Sequence, residues 1–233
     1  MKTIIEKANS KAGRWGTLSK LGWKYTTWKL AIRQRNPVRI DYVSTDKITR
    51  VTAPDPNVDI HMTDYPEDYP HGGSKRGIFK YKRAGDVVGG EWDTNTVEVK
   101  DLPELIGIQQ LLQENKDIRE IPYFQQCADY ISSGYEAWGY QNTETFYRNR
   151  PDDLSNLAES IRQNGVLSQK EINGISWPLD EISVNIGRNG DPIFNSKGHH
   201  RLGIAKILGV DEIPVIVIVR HPQWVDSNSD HTL

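Results

Sequence analysis

Two histidines and an arginine directly follow a glycine in residues 197–201, which read Lys-Gly-His-His-Arg. The run lies where the short apolar stretch 192–194 gives way to apolar residues at helical spacing that end at Gly209. The first turn of a helix presents unpaired N–H groups and the positive end of the dipole, so cations there are unfavourable unless an anion binds. The pattern predicts a site for phosphate or carboxylate. The alternative is a surface turn with solvated histidines.

A second candidate for chemistry is the glycine-rich stretch 85–93, in which Glu91 and Asp93 flank Trp92. Its glycines permit a close approach of the backbone or a positive φ. The two acids could hold a metal ion or act as a base, although acid-bearing turns are common in structural roles as well. Together with His200, we take Glu91 and Asp93 as the candidate catalytic residues.

Periodicity predicts the elements that must position these residues. A helix capped by Asp152 ends at Gly165, and a strand follows over residues 181–186. A hairpin turn at residues 188–191 contains an Asn-Gly pair that supplies the positive φ values of a tight connection. The continuous apolar run 213–219 predicts a strand buried on both faces.

Earlier elements are predicted in the same way. Residues 37–51 indicate a strand and a short turn, and the proline-rich residues 52–76 a long loop. Residues 102–115 and 123–133 each favour a helix, and Thr143 can begin another helical turn.

Composition excludes several classes of protein. No apolar run approaches the roughly 20 residues needed to cross a bilayer, so we expect no membrane span. The N-terminus lacks the apolar core of a secretory signal. The single cysteine, Cys127, excludes an internal disulfide framework and fits a reducing, cytoplasmic location.

Charged residues are unevenly distributed along the chain, although the net charge is only −2. Residues 1–50 hold twelve Lys and Arg against three acids, and residues 17–35 can form a basic amphipathic helix with interleaved tryptophans. This segment could contact nucleic acid, an anionic surface or the rest of the chain.

Several elements match a familiar pattern in order. They are Ser-Ile-x-x-x-Gly at residues 160–165, Gly-x-x-Arg at 198–201, Leu-Gly at 208–209 and Ile-Pro-Val at 213–215. Over residues 151–220 the chain resembles the ParB/sulfiredoxin superfamily. The resemblance implies an α+β fold, with a small mixed sheet and helices, that is interrupted here by a large mixed insertion.

The resemblance also implies a division of the chain. Residues 37–51 and 151–222 would form the core, and residues 52–150 an insertion that acts as a lid or wall. Residues 1–36 would be a basic aromatic segment and residues 223–233 a polar tail.

Members of this superfamily bind nucleoside phosphates at the Gly-x-x-Arg turn, as CTP in partition proteins, ATP in sulfiredoxin and ADP in archaeal free-serine kinases. The implied cofactors are therefore ATP, ADP or CTP, with Mg²⁺. Arg201 is the strongest candidate for phosphate because its guanidinium can bind bidentately. The implied nucleotide-binding residues are Ser168, Gln169, Lys197, Gly198, His199, His200 and Arg201.

Departures from the motifs of the superfamily narrow the choice among its branches. His199 stands where sulfiredoxin has its catalytic cysteine, and too few residues follow Arg220 for the DNA-binding domain of partition proteins. Gly-His-His-Arg is closest to the serine kinases, although Lys197 replaces their preceding aspartate. Kinase chemistry needs an acid beside the phosphates. The candidates, in order, are Glu91, Asp93, Asp46 and Asp41.

The leading functional hypothesis is a Mg²⁺-dependent phosphotransferase acting on a small hydroxyl-bearing substrate, or an NTPase. One alternative is a DNA-associated nuclease or DNA-binding protein that uses the basic N-terminal segment. Another is a nucleotide-sensing switch without catalysis. No metal ligands are predicted, since the adjacent His199 and His200 would seldom converge on one zinc ion.

Overall fold

Among the residues that the structure describes, the longest strand is the apolar run Glu212–Arg220, which lies inside a seven-stranded mixed sheet. The computed structural model describes residues 40–52, 79, 83–174, 181–195 and 197–228. Helices pack on this sheet, so the predicted α+β class is confirmed.

The strands are β1 Asp41–Ser44, β2 Arg50–Thr52, β3 Asp86–Val87, β4 Thr96–Glu98, β5 Ile182–Ile186, β6 Pro192–Phe194 and β7 Glu212–Arg220. Their order is β1-β7-β5-β6-β2-β4, and β3 also pairs with β7. β5 lies parallel to β7, β6 is antiparallel to β5, and β2 is parallel to β6.

The helices are α1 Pro103–Leu112, α2 Pro122–Ser132, α3 Thr143–Asn164, α4 Gln169–Asn173, α5 His199–Leu208 and α6 Pro222–Ser227. Short 3-10 turns cover Thr45–Lys47, Val99–Asp101 and Ile118–Glu120. The helix predicted at 102–115 is thus present but shorter, and the helix predicted at 123–133 is present one residue earlier in the chain. The polar tail expected at residues 223–233 overlaps α6. The strand and short turn expected over 37–51 appear, from residue 40 onward, as β1 and a 3-10 turn, and β2 follows as a second strand.

Helix α3 is one continuous helix, so the prediction that Asp152 begins a separate helix is wrong. Asn142 is the N-cap, and its side chain accepts a hydrogen bond from the backbone N–H of Thr145. Pro151 lies inside the helix, where proline costs about 3 kcal/mol. The burial of apolar side chains before and after Pro151 in the helix offsets that cost. The buried side chains of α3 are Phe146, Arg150, Leu154, Ala158 and Ile161.

The β5–β6 hairpin differs from its prediction in one detail. Gly190 has φ 87°, whereas the φ of Asn189 is not positive. The turn closes through hydrogen bonds from Gly190 N to Gly187 O and from Gly187 N to Asp191 O, both at 3.0 Å. A single glycine therefore meets the backbone requirement.

Both faces of β7 are buried, as its continuous apolar sequence predicts. Ile213, Val215 and Val217 belong to the larger core, which contains the helices, whereas Ile216 and Ile218 belong to a smaller cluster with Trp92 on the opposite face. The segment predicted as an insertion contributes β3 and β4 to this same sheet, and α1 packs on α5. Its action as a lid or wall stays a prediction.

The basic N-terminal segment, residues 1–36, lies outside the described residues. Within the described ranges, no helix is long and apolar enough to cross a membrane.

Glycines in the left-handed conformation stand at both ends of α5: Gly198 has φ 84° and Gly209 has φ 67°. A Cβ at Gly198 would lie 2.5 Å from Cγ1 and 2.9 Å from Cα of Ile182, whereas a Cβ at Gly209 would meet nothing within 4 Å. The start of α5 therefore lies directly on β5.

This difference gives a matched pair of variants. Gly198→Ala and Gly209→Ala should both lose about 1–2 kcal/mol through left-handed strain. Gly198→Ala should lose a further 1–3 kcal/mol, roughly, because its methyl group overlaps β5. Urea denaturation of the two variants measures the difference, and equal losses would show that the contact with Ile182 does not constrain the helix.

Candidate functional site

The start of α5 is held on the sheet by two hydrogen bonds between Lys197 and Ser183. Ser183 N donates to Lys197 O at 3.2 Å, and Lys197 N donates to the Ser183 hydroxyl at 3.1 Å. Gly198 is the N-cap, and no side chain caps the helix there. The N–H groups of the first turn are the ones that a helix leaves without partners along its own backbone. The turn predicted as an anion site is thus the N-terminal end of a helix.

Arg150, from the middle of α3, reaches the same helix start. Its Nη2 lies 3.0 Å from Nε2 and 3.3 Å from Nδ1 of His200. Its guanidinium carbon lies 4.5 Å from the centre of the Trp138 ring, over the ring. Only 7% of Arg150 is exposed. A buried cation therefore stands beside the positive end of the α5 dipole.

The sequence analysis missed Arg150, although a signal for it exists. Arg150 follows the buried Phe146 by four residues and precedes the buried Leu154 by four, so it stands on the apolar stripe of α3. An arginine on such a stripe needs a polar partner inside the protein. Pro151 obscured the stripe, because a helix expected to begin at Asp152 would leave Arg150 in a loop.

The charge of Arg150 is weakly compensated. Among the described residues its ion-pair partner is Asp153, with Nη1 and Oδ2 3.9 Å apart, and 52% of the Asp153 side chain is exposed. That same oxygen accepts a hydrogen bond of 2.5 Å from the Tyr140 hydroxyl. Burial lowers the pKa of Arg150, yet a guanidinium stays protonated in proteins. Burial, and then Asp153, raise the pKa of Tyr140 to about 12, so Tyr140 remains a neutral donor.

The two histidines form a compact pair at the helix start. Their ring centres are 4.1 Å apart at 61°, and the His200 ring meets Trp138 edge-on at 5.2 Å. Both histidines are half-buried. Since Arg150 donates to His200, the ring nitrogen that accepts carries no proton. Arg150, Trp138 and His199 thus border His200 on three sides.

Arg201, which the sequence analysis assigned to phosphate, contacts groups of the protein itself. Its Nη1 donates to Leu167 O at 3.3 Å and lies 3.6 Å from Oε2 of Glu181, which is fully buried. Oε1 of Glu181 accepts a hydrogen bond of 2.7 Å from the backbone N–H of Gln169. Arg201 therefore joins α5 to the loop before α4, and the carboxylate of Glu181 compensates its charge.

Ser168 and Gln169 lie at this same end of α5. The Ser168 side chain and Glu171 form a reciprocal capping box at the start of α4. The Ser168 hydroxyl lies 2.7 Å from Oε2 of Glu171 and accepts from Glu171 N at 3.3 Å. Ser168 thus has a structural role in α4. Lys197, in contrast, is exposed beside the turn.

Glu91 and Asp93 belong to a separate cluster built on Arg188. Asp93 accepts three hydrogen bonds from Arg188, from its backbone N at 2.8 Å, Nε at 2.9 Å and Nη2 at 2.8 Å. Glu91 accepts from the same Nη2 at 2.9 Å. Burial favours a raised pKa for Asp93, but the hydrogen bonds and charge of Arg188 outweigh it, and the pKa is lowered. Asp93 is therefore a weak base in a fully bonded ion pair.

The Arg188 cluster and the start of α5 lie at opposite ends of β5. Arg188 stands two residues after Ile186, the last residue of the strand, whereas Gly198 packs on its first residue, Ile182. Five residues of strand span about 16 Å. The expectation that Glu91 and Asp93 face the Gly198 turn is thus corrected, whereas His200 does lie there.

The two lower-ranked acids also lie elsewhere. Asp46 is in the 3-10 turn whose Thr45 carbonyl accepts a hydrogen bond from Lys206, in the last turn of α5. Asp41 lies in β1, with its Oδ2 4.0 Å from Nη2 of Arg220. In the part of the chain that the structure describes, no group of three His, Cys, Asp or Glu side chains could hold a metal ion.

The Arg188 cluster predicts a specific loss of stability. Asp93→Asn should lower the free energy of unfolding by about 2–3 kcal/mol at neutral pH, since Asp93 is 3% exposed and fully bonded. Glu91→Gln, which changes a 73% exposed partner of the same arginine, should cost under about 0.5 kcal/mol.

Acid should remove this difference. Because the pKa of Asp93 is lowered on folding, its contribution is complete above the ordinary aspartate value of about 4 and is lost as pH falls through the folded value. Urea denaturation of the wild type and the Asn variant at about pH 7 and about pH 3 measures the change. A gap that stays constant with pH would contradict the ion pair.

No protein-family model, curated protein or solved structure matches the chain. Its function must therefore be inferred from the geometry at the start of α5 and from the residues that form it.

Proposed function

We propose that the chain binds a nucleoside di- or triphosphate, with the phosphates at the start of α5. The observation that carries this proposal is the buried guanidinium of Arg150, which lies against His200 at a helix start that no side chain caps. The helix and the arginine come from distant parts of the chain, so they are independent signs of the same ligand.

Electrostatics explains why an anion fits here. A helix N-terminus favours a nearby negative charge by about 0.3–1 kcal/mol, and a buried cation is unfavourable unless it is paired. At the start of α5 both effects act together, and the carboxylate of Asp153 is 3.9 Å away and largely exposed. A phosphate would accept hydrogen bonds from the first-turn N–H groups and from Arg150, each charge-assisted bond contributing about 1.5–3 kcal/mol.

The resemblance to the ParB/sulfiredoxin superfamily supports the nucleoside part of the proposal, and we extend the proposal to membership of that superfamily. The chain passes from β5 through the hairpin to β6, then through the Gly-x-x-Arg turn to α5 and β7. This order agrees with the pattern on which the resemblance rests. In the proposed complex Arg150 takes the phosphate-binding role first assigned to Arg201, and Lys197 lies at the entrance.

Arg150 variants test the binding. ATP, ADP and CTP with Mg²⁺ are titrated calorimetrically, and at least one should bind the wild type. Arg150→Gln should weaken that binding at least tenfold, roughly, because a charged donor is lost, and Arg150→Lys should fall between. Arg162→Gln serves as the control, since Arg162 is on the same helix but is exposed and pairs with Glu159.

Thermal denaturation of each variant checks that it is folded. Absence of binding by the wild type to all three nucleotides would refute the proposal. Equal affinity of the wild type and a folded Arg150→Gln variant would remove Arg150 from the site.

Phosphoryl transfer is the reaction that we propose for a bound nucleotide, with water or a small hydroxyl compound as acceptor. The acceptor oxygen bonds to the terminal phosphorus, the bond to the bridging oxygen breaks, and its electron pair leaves with the shortened nucleotide. Mg²⁺ would neutralise the phosphate charge. Asp153 is the acid that the described contacts connect to Arg150, so it replaces Glu91 and Asp93 as the candidate acceptor of the hydroxyl proton.

The role of Asp153 has its own test. Asp153→Asn should reduce phosphate release from ATP or CTP by about 10²-fold, as is typical for loss of a general base, while nucleotide affinity changes little. Asp152→Asn, at the exposed neighbouring position, is the control. Unchanged turnover in Asp153→Asn would exclude Asp153 as the base, and stoichiometric binding without turnover in the wild type would favour the nucleotide-sensing switch.

A further inference from the structure

We infer that Trp138 is a positioning residue of this site: a strained turn holds its indole ring against Arg150, so that the guanidinium is oriented for an anion before the anion binds. This inference rests on the proposed function and adds to it the residue that orients the charged group. It is carried by the backbone conformation of Trp138 and by the contacts of its ring.

Trp138 lies in a tight turn between α2 and α3. Ala137 N donates to Tyr140 O at 3.1 Å, and Tyr140 N donates to Ala137 O at 2.9 Å. The two residues between them, Trp138 and Gly139, have φ 51° and φ 87°. This pattern is typical of a type I′ turn, for which Asn-Gly is a preferred pair. The chain therefore has tryptophan where asparagine is the usual choice.

Tryptophan is unfavourable at this position of the turn. A bulky side chain at positive φ is an outlier, because its Cβ crowds the backbone. Among the described residues, the other non-glycine residue with positive φ is Asn115, and asparagine tolerates that conformation. Strain of this kind persists only where the surrounding structure compensates for it. The contacts of the Trp138 side chain therefore indicate what the turn provides.

The indole ring of Trp138 contacts both buried aromatic rings and the charged site. Its centre lies 6.1 Å from that of Phe146, with the ring planes at 16°, and 6.0 Å from that of Tyr123. Phe146 and Tyr123 are both buried. The guanidinium carbon of Arg150 lies over the indole, 4.5 Å from its centre. The buried rings thus fix the indole, and the indole in turn contacts Arg150.

Stacking suits a guanidinium that must bind an anion, because it uses the face of the group and not its N–H bonds. The donors of arginine lie in the plane of the guanidinium, whereas an aromatic ring attracts the cation through its face. Arg188 shows the other arrangement, since Asp93 accepts from its Nε and Nη2. Trp138 therefore stabilises the buried charge of Arg150 without occupying its donors.

The remaining described contacts of Arg150 do not fix the plane of its guanidinium. Its Nε is buried and has no hydrogen-bond partner among the described residues. Nη1 lies 3.9 Å from Oδ2 of Asp153, which is too long for a hydrogen bond, and Nη2 lies 3.0 Å from Nε2 of His200. One hydrogen bond at one nitrogen permits rotation, whereas a stacked ring does not. Loss of the ring should thus cost affinity through lost preorganisation.

A double-mutant cycle tests whether Trp138 acts through Arg150. ATP, ADP and CTP with Mg²⁺ are titrated calorimetrically into Trp138→Phe and Trp138→Leu, each alone and combined with Arg150→Gln. Trp138→Phe keeps an aromatic face and should bind within about twofold of the wild type, whereas Trp138→Leu should bind about five- to tenfold more weakly. In the Arg150→Gln background the two variants should bind equally. Tyr135→Leu is the control, because Tyr135 stacks on Tyr130 in the same part of the chain, and it should keep wild-type affinity.

A matched pair of glycines tests the turn itself. Gly139 and Gly134 have φ 87° and φ 89°, both are exposed, and a Cβ at either would meet no described atom within 4 Å. A β-branched valine is incompatible with this φ, so Gly139→Val and Gly134→Val should lower the melting temperature by similar amounts. Gly139→Val, which displaces Trp138, should also weaken nucleotide binding about threefold or more. Gly134→Val should leave it unchanged.

Failure of the inference can be told apart from failure of the proposed function. No binding of ATP, ADP or CTP by the wild type would overturn both. Wild-type affinity in a folded Trp138→Leu variant, or equal weakening by Trp138→Phe and Trp138→Leu, would overturn the inference alone. Additive effects of Trp138→Leu and Arg150→Gln would also overturn it, since the ring would then act on the ligand directly. If Trp138→Leu does not fold, equal affinities of Gly139→Val and Gly134→Val would contradict the positioning role.

Discussion

The close contact between Gly198 and Ile182 fixes where α5 begins, and the rest of the site depends on it. A side chain at Gly198 would overlap the backbone of β5, so the turn can lie directly on the strand only because the residue is glycine. Hydrogen bonds from Ser183 N to Lys197 O and from Lys197 N to the Ser183 hydroxyl hold the same register. With the helix start fixed on the sheet, its first-turn N–H groups have a defined direction, and His200 has a defined position. An anion site needs this preorganisation, because donors that must be ordered on binding lose affinity.

The charged side chains at the two ends of β5 are compensated to different degrees. Beyond its last residue, Arg188 and Asp93 satisfy each other through three hydrogen bonds, and Glu91 adds a second carboxylate. That cluster stabilises the hairpin and leaves little unmet charge for a ligand. At its first residue, by contrast, Glu181 pairs with Arg201, and among the described residues the ion-pair partner of the buried Arg150 is the half-exposed Asp153, 3.9 Å away. The physical difference between a structural ion pair and a candidate binding site is therefore the degree of compensation, not the number of charged residues.

Continuity of α3 is what brings Arg150 to that site. If the helix broke at Pro151, the buried stripe through Phe146 and Leu154 would be divided, and no constraint would hold Arg150 under His200. Trp138 covers the guanidinium, and Tyr140 orients Asp153 beside it. These residues come from the segment that the sequence suggested as an insertion or from its boundary, so the site combines both parts of the chain. The described acids that seemed most catalytic, Glu91 and Asp93, lie elsewhere because β5 separates them from α5.

The sequence by itself determined the local features of this protein: the α+β class, most helices and strands, the doubly buried β7, and a helix that starts at a glycine followed by basic residues. Those features depend on periodicity and backbone preference within one element, which neighbouring residues encode. Only the tertiary structure decided which charges meet. Arg150 reaches His200, Arg201 pairs with Glu181, and Asp93 pairs with Arg188, although in each case a different partner was compatible with the sequence. Such pairings depend on how helices cross and in which direction a strand runs, and no local pattern contains that information.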